Sequence, residues 1–139
     1  MSGTMLAAFV AYALAALLSA VFGAIYLVRS QFMPYHQEAV GVAWQQLDQR
    51  LQALLVGLMR TVGGGFLAAG ISVALLLLIP FRAGESWSRY ALLAIGLASG
   101  LPALYATILI RARTGARTPI AASAAAVALV VLGFILSIF

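Results

Sequence analysis

Residues 5–28 read MLAAFVAYALAALLSAVFGAIYLV, an apolar stretch without Asp, Glu, Lys, Arg or His. A helix needs about 20 apolar residues to cross the hydrocarbon core of a bilayer, so this stretch is long enough. It also lacks the basic segment that precedes the apolar core of a secretory signal peptide, and it is longer than such a core. We therefore predict a membrane span that stays in the protein.

Three further stretches also lack Asp, Glu, Lys, Arg and His: residues 61–79, 90–110 and 119–139. The last two connections, 81–89 and 111–118, are short, so the helices that they join should be antiparallel neighbours. The first connection, 29–60, is long and holds most of the polar residues. The sequence predicts an all-α membrane protein, a bundle of four transmembrane helices that forms a single transmembrane domain over residues 1–139.

The composition agrees with a membrane location. Of 139 residues, 65% are hydrophobic and 8% are charged, whereas about a quarter of the residues in soluble domains are charged. All eight basic residues are Arg, and they are scattered between apolar runs. They are therefore expected to contact lipid head groups and not nucleic acid. The absence of Cys excludes disulfides and thiolate ligands.

An amphipathic helical extension is predicted before the second span. Apolar residues recur there at helical spacing, with polar residues between them: Trp44, Leu47, Leu51, Leu54 and Leu58. A continuous helix over residues 44–79 would be about 54 Å long. Its first third should therefore lie outside the bilayer core, or the helix should break, and residues 63–65, three glycines, are the weakest point.

The arginines also predict an orientation. The first and third connections hold Arg29, Arg50, Arg60, Arg111, Arg113 and Arg117, whereas the second holds only Arg82 and Arg89. Because basic residues favour the cytoplasmic side, both termini are predicted to lie outside. Size and Arg-only basicity suggest a bacterial inner membrane. Five aromatic residues lie at or near span edges or on the interfacial segment, where such side chains anchor a protein at the head-group level: Tyr26, Tyr35, Trp44, Trp87 and Tyr90.

Small residues are predicted to mediate helix packing, because helices in lipid associate through close backbone contact. Gly64 and Gly65 each precede an Ala by four residues, and Gly96 precedes Gly100 by four. These pairs could close the bundle internally, or the Gly96 pair could dock against a second protein. Pro102 removes a backbone hydrogen bond from the third span and is predicted to kink it.

One group of residues in the long connection is a candidate ligand or head-group site: Tyr35, His36, Glu38, Trp44, Asp48 and Arg60. His36 and Glu38 could act as an acid–base pair or a proton relay. Arg60, beside glycine backbone, could hold a phosphate or carboxylate head group. The alternative is a solvated interfacial loop in which Arg60 extends to lipid phosphates.

No catalytic residue, metal site or cofactor is predicted. One His and three carboxylates are too few for a zinc or non-haem iron site in one chain. Phosphate-loop, dinucleotide and nucleophile-elbow motifs are absent. In size and number of spans the chain resembles the small multidrug-resistance exporters, but no span carries the intramembrane carboxylate that those proteins use. The same absence argues against an ion channel or proton pump built from this chain alone.

Three functions remain open. The leading hypothesis is a non-enzymatic accessory or scaffolding subunit, whose partners are membrane lipids and either other membrane subunits or copies of itself. The second is a membrane-interface binder or enzyme for a lipid or quinone, in which the 35–60 segment covers an apolar cleft beside Pro102. The third is a small oligomeric transporter with Ser99, Tyr105 and Thr107 lining a path.

Overall fold

A computed structural model describes residues 2–139, and within this range the chain forms helices and turns without any strand. The helices are α1 (Gly3–Val28), α2 (Pro34–Val40), α3 (Gln49–Leu76), α4 (Trp87–Thr114) and α5 (Ile120–Ser137). A 3₁₀ turn (Trp44–Gln46) precedes α3, and a π turn (Leu77–Phe81) follows it. Four helices, α1, α3, α4 and α5, are long and apolar enough to cross a membrane. The predicted all-α bundle of a multi-pass membrane protein is confirmed.

The four long helices surround a central space unevenly. Helix α1 packs along both α3 and α5, and α4 packs along α5, whereas α3 and α4 contact each other less. The order around the bundle is therefore α3, α1, α5, α4. The 82–86 turn joins α3 to α4 at one end, and α2 lies at the opposite end against α4.

The tightly packed core lies toward the 82–86 turn. Tyr12 and Leu92 are fully buried there, together with Leu77 and Phe81 of the π turn. The rings of Tyr12 and Phe81 meet edge to face at 6.1 Å, and the Tyr12 hydroxyl donates a hydrogen bond to the Arg89 carbonyl (3.4 Å). This packing fixes α1, α3 and α4 together at one end of the bundle.

Glycines allow the closest helix approaches. A Cβ at Gly23 of α1 would lie 2.6 Å from the Leu67 backbone nitrogen of α3. A Cβ at Gly96 of α4 would lie 2.6 Å from Val130 of α5, so the Gly96 face is occupied within the chain and is not free for a second protein. By contrast, a Cβ at Gly64 or Gly65 would meet no atom of another helix within 4 Å.

The extension before the second span starts later than predicted. Asp48 accepts a hydrogen bond from the Arg50 backbone N–H (2.9 Å) and caps α3, so the helix begins at Gln49 and the Trp44–Gln46 turn is separate from it. Helix α3 then runs through residues 63–65 without the break that their glycines suggested. At its 28 residues, α3 is about 42 Å long.

Pro80, at the end of the second span, changes the helix that contains it, whereas Pro102, within the third span, does not interrupt its helix. Pro80 has no N–H to donate, so the end of the second span widens into the π turn. The Arg82 N–H that follows this turn donates to the Leu77 carbonyl at 3.3 Å, five residues back. Pro102, in contrast, lies within a helix that is continuous from Trp87 to Thr114, and its side chain is exposed. The helix is therefore unbroken at Pro102, and the kink stays a prediction.

Candidate functional site

A cavity of about 520 Å³ lies inside the bundle between α3 and α4. Its lining extends along α3 from Val73 to Leu55 and along α4 from Gly96 to Thr114, with α1 and α5 completing the walls and α2 closing one end. The α3 stretch alone is about 27 Å long at 1.5 Å per residue. Ligand cavities of proteins commonly occupy about 300–1,000 Å³, so this space is large enough for a small molecule.

The cavity is present because many of the side chains that line it are small. The helices α3, α4 and α5 present alanines to the cavity, and among them are Ala69, Ala103, Ala122 and Ala126. Over residues 2–139, no Asp, Glu, Lys or Arg lines the space. The walls are therefore predominantly apolar and uncharged.

Most polar groups of the cavity lie toward α2. The Thr107 and Ser123 hydroxyls hydrogen-bond each other at 3.0 Å, and the Thr118 hydroxyl donates to the Thr107 carbonyl at 2.7 Å. Deeper in the bundle, the Ser19 and Ser99 hydroxyls donate to the backbone carbonyls of Phe66 and Ile95. These two serines are satisfied by the helices themselves, so the deep part of the cavity offers little to a polar ligand.

The closing element, α2, is a short helix with defined ends. Pro34 starts it with a fixed φ, and the His36 Nδ1 accepts a hydrogen bond from the Met33 backbone N–H (3.2 Å). Gly41, with a φ of 80°, ends it. Glu38 fixes its far side, because its carboxylate accepts a hydrogen bond from the Arg117 backbone N–H in the α4–α5 connection (2.9 Å).

Four rings of α1, the following turn and α2 line the end of the cavity, and we name them the aromatic cap: Tyr26, Phe32, Tyr35 and His36. The Tyr26 and Tyr35 hydroxyls hydrogen-bond each other, and the His36 Nε2 lies 3.3 Å from the Tyr26 hydroxyl. The Tyr35 and His36 rings meet edge to face at 4.4 Å. The cap therefore combines apolar ring surface with a connected set of polar atoms.

Burial keeps the α2 part of this cap uncharged. It lowers the pKa of His36 below its ordinary value, since desolvation disfavours the imidazolium. Burial, followed by the hydrogen bond with Tyr26, raises the pKa of Tyr35 well above the usual tyrosine range. Both side chains are therefore neutral at physiological pH.

The structure separates the six predicted site residues into two groups. Tyr35 and His36 line the cavity within the cap, and Glu38 lies on the same helix with Arg117 as its partner. His36 bonds to Tyr26 and to the Met33 N–H, so His36 and Glu38 have separate partners and do not form the pair that the sequence suggested.

Trp44, Asp48 and Arg60 lie outside the cavity. The Trp44 ring packs edge to face against Phe32, with centroids 5.0 Å apart, behind the cap. Asp48 caps α3. The Arg60 Nη1 is buried without a hydrogen-bond partner among the described residues, and Arg60 does not line the cavity.

Sequence reasoning missed Tyr26 as a site residue, because it lies at a span edge where an anchoring role is common. No signal in the sequence marks it, because the 29–33 turn that returns the chain to the end of α1 is short only once α2 has formed. Of the three residues suggested for a transport path, Ser99 and Thr107 line the cavity. Tyr105 is 67% exposed on the outside of the bundle.

The cavity opens sideways between α3 and α4. Leu58 and Val62 of α3 line it, yet they are 53% and 45% exposed. Ala106 of α4 also lines it and is exposed. Because these helices span the membrane, the opening faces the region that lipid chains occupy.

Comparison with known proteins finds no family model, no curated protein and no solved structure that matches the chain. Function has to be argued from the chemistry of the site.

Proposed function

We propose that this protein binds one amphiphilic molecule of the membrane in the cavity between α3 and α4. The apolar chain of the ligand lies along the deep alanine-rich walls, and its polar head lies against the aromatic cap. One observation carries the proposal: a long apolar cavity whose available polar groups gather at a single end. This distribution matches an amphiphile and is unlike a uniformly apolar packing defect.

The position of the cavity supports access from the bilayer. Its long axis follows α3 and α4, and the cap lies where α1 ends at Val28, next to Arg29. Charged residues mark the head-group level of a membrane. A membrane amphiphile that moves sideways between α3 and α4 would therefore already have its head at the level of the cap.

The chemistry of the cap supports binding more than catalysis. Both His36 nitrogens have protein partners, and the serine and threonine hydroxyls of the cavity bond to backbone carbonyls or to each other. A catalytic nucleophile needs an adjacent base with a free lone pair. The arrangement supplies shape and hydrogen bonds, which are the requirements of a binding protein.

The test is to fill the cavity. In the double variant Ala69→Leu/Ala103→Leu, two larger side chains enter the space from facing helices. The matched control, Ala94→Leu/Ala98→Leu, adds the same side chains to the face of α4, where residue 94 and residue 98 are exposed. Each protein is purified in a mild detergent, and native mass spectrometry measures the small molecules that remain bound.

We expect wild type and the control to retain an apolar molecule, and the filled variant to lose it while remaining folded. Equal retention by all three proteins would contradict binding in this cavity. If the filled variant does not fold, the bound mass on wild type and its displacement by added amphiphile still decide the proposal.

A second candidate, the accessory subunit, is favoured by the outer face of α3. A Cβ at Gly57, Gly64 or Gly65 would meet no atom of another helix within 4 Å, and Ala68 is exposed on the same helix. Small residues on a lipid-facing helix permit close approach of another helix. This face could dock another subunit or a second copy of the chain.

Native electrophoresis of detergent-solubilised membranes tests this role. If α3 docks a subunit, Gly64→Leu/Ala68→Leu should convert a larger species into the single chain, while Ala94→Leu/Ala98→Leu should not. A wild-type protein that migrates as the single chain would contradict it.

A further inference from the structure

We propose that the ligand head is an uncharged group with a hydrogen-bond acceptor oxygen, such as the carbonyl of a long-chain ketone or of a quinone. This inference rests on the proposed binding function. It follows from counting the protons of the aromatic cap and from the charges around the cavity.

The hydrogen bond from the Met33 N–H determines the tautomer of His36. A backbone N–H can only donate, so the Met33 N–H must donate to the His36 Nδ1, 3.2 Å away. The neutral ring therefore carries its proton on Nε2. That proton faces the Tyr26 hydroxyl oxygen at 3.3 Å, and Nε2 cannot accept a proton from either tyrosine.

Tyr26 and Tyr35 have two hydroxyl protons, and one of them makes the hydrogen bond that joins the pair. Whichever hydroxyl donates in that bond, the other proton has no acceptor among the described residues, since His36 is excluded. Both hydroxyls belong to side chains that line the cavity, so one donor is available to a ligand.

Charged heads are disfavoured, because no charged side chain of the described residues lines the cavity. In the described chain, the cavity lining contains neither a carboxylate for a cationic head nor an Arg for an anionic head. Burying an unpaired charge costs far more than burying a neutral acceptor that receives one hydrogen bond. Glu38 is exposed and accepts a hydrogen bond from the Arg117 N–H. Neither Arg60 nor Arg29, which adjoins the cap, lines the cavity, so among the described residues no charged side chain lies inside it to pair with a charged head.

The experiment compares probes that have the same alkyl chain length and different head groups. Four radiolabelled probes of equal chain length are bound to delipidated protein at neutral pH: a methyl ketone, a fatty acid, an alkyltrimethylammonium ion and an alkane. We expect the ketone to bind about tenfold more tightly than the alkane, the effect of one hydrogen bond. The acid and the ammonium ion should both bind more weakly than the ketone.

Variants then locate the donor. Tyr35→Phe alone leaves the Tyr26 proton free, so the ketone preference should persist. The triple variant Tyr26→Phe/Tyr35→Phe/His36→Phe removes every side-chain donor of the cap and should reduce the preference of ketone over alkane about tenfold. Tyr105→Phe, on the outer surface, is the matched control and should change nothing.

The outcomes separate the two proposals. Tighter binding of either charged probe than of the ketone, or a ketone preference that survives in the triple variant, would overturn the head-group assignment but leave the binding function standing. Failure of all four probes to bind the wild-type protein would overturn the binding function itself. If the triple variant no longer binds the alkane, the wild-type ranking alone decides.

Discussion

Individual glycines distinguish the inside of this bundle from its outside. Gly23 and Gly63 bring the backbones of α1 and α3 together, and a Cβ at either would meet backbone atoms of the other helix within 3.0 Å. Backbone atoms cannot move aside as a flexible side chain can. Gly65 lies two residues from Gly63 on the same helix but has open space around it.

We therefore predict that Gly23→Ala lowers the free energy of unfolding by about 1–3 kcal/mol, the usual effect of overpacking. Gly65→Ala should be neutral or stabilising, because Ala is the better helix former by about 1 kcal/mol. Reversible unfolding in mixed detergent micelles measures both values. Equal effects at the two sites would show that α1 and α3 do not approach closely at Gly23.

His36 predicts a pH dependence of α2 docking. Its pKa is lowered by burial when α2 is docked, so the undocked state binds a proton more readily. Docking should be constant above about pH 7 and should weaken as the pH falls below about 6.5, the ordinary pKa of His. Protonation also removes the Nδ1 lone pair that accepts from Met33, while Tyr26 and Tyr35 stay neutral.

A nitroxide at Gln37→Cys reports this transition, because the chain has no native Cys. Its mobility should increase below about pH 6.5 in an otherwise wild-type background. With His36→Gln added, mobility should not vary with pH. The same pH profile in both proteins would assign the transition to another group.

For the helices, sequence and structure agree wherever the length of an apolar run determines whether a span forms. The four spans follow from uninterrupted apolar runs, since lipid requires internally satisfied helices. The start of α3 was misplaced, because Trp44 and Leu47 continue the helical period of the apolar face although the Asp48 cap starts the helix after them. Periodicity shows which residues share a face, but only local capping shows where the helix begins.

The sequence predicted only those parts of the candidate site that lie close together along the chain. Tyr35 and His36 stand out in the sequence as polar aromatic residues beside a span, and both line the cavity. Their partner Tyr26 and the opposing Thr107 and Ser123 come from three other helices, and only the tertiary arrangement brings them near α2. The seven residues of α2 were not predicted as a helix because they are too few for a periodic pattern.

The hydrogen bond from the Arg117 N–H in the α4–α5 connection to the Glu38 carboxylate should hold the whole of α2 in place. Glu38→Ala removes the acceptor for the Arg117 N–H and should raise the hydrogen-exchange rate of α2 and of residue 117 by several-fold, consistent with a hydrogen bond of about 1 kcal/mol. Glu38→Gln keeps an acceptor oxygen and is the control. Unchanged exchange in Glu38→Ala would show that this bond does not hold α2.

At the scale of the molecule, packing is polarised along the bundle. The core residues Tyr12, Leu77 and Leu92 join the helices near the 82–86 turn, whereas the α2 end contains the cavity. Because the helices are packed together near the 82–86 turn, α3 and α4 can lie apart at the other end without disturbing that packing. This asymmetry gives an apolar ligand a place to lie without loss of the packed core.

The arginine distribution predicts that the α2 end faces the cytoplasm. Single cysteines at Gln37→Cys in α2 and Ser86→Cys in the 82–86 turn mark the two ends, and residues 37 and 86 are exposed. In intact cells, a membrane-impermeant maleimide should label position 86 and not position 37. The reverse pattern would invert the orientation.

A membrane amphiphile that occupies the cavity, with its head at the aromatic cap, should be visible in a crystal structure of the protein grown from a lipid mesophase. We predict one continuous elongated density from the level of Val73 to Tyr35, with a head-group oxygen within hydrogen-bonding distance of the Tyr26–Tyr35 pair. Helices α3 and α4 closed against each other with no space between them would contradict the claim.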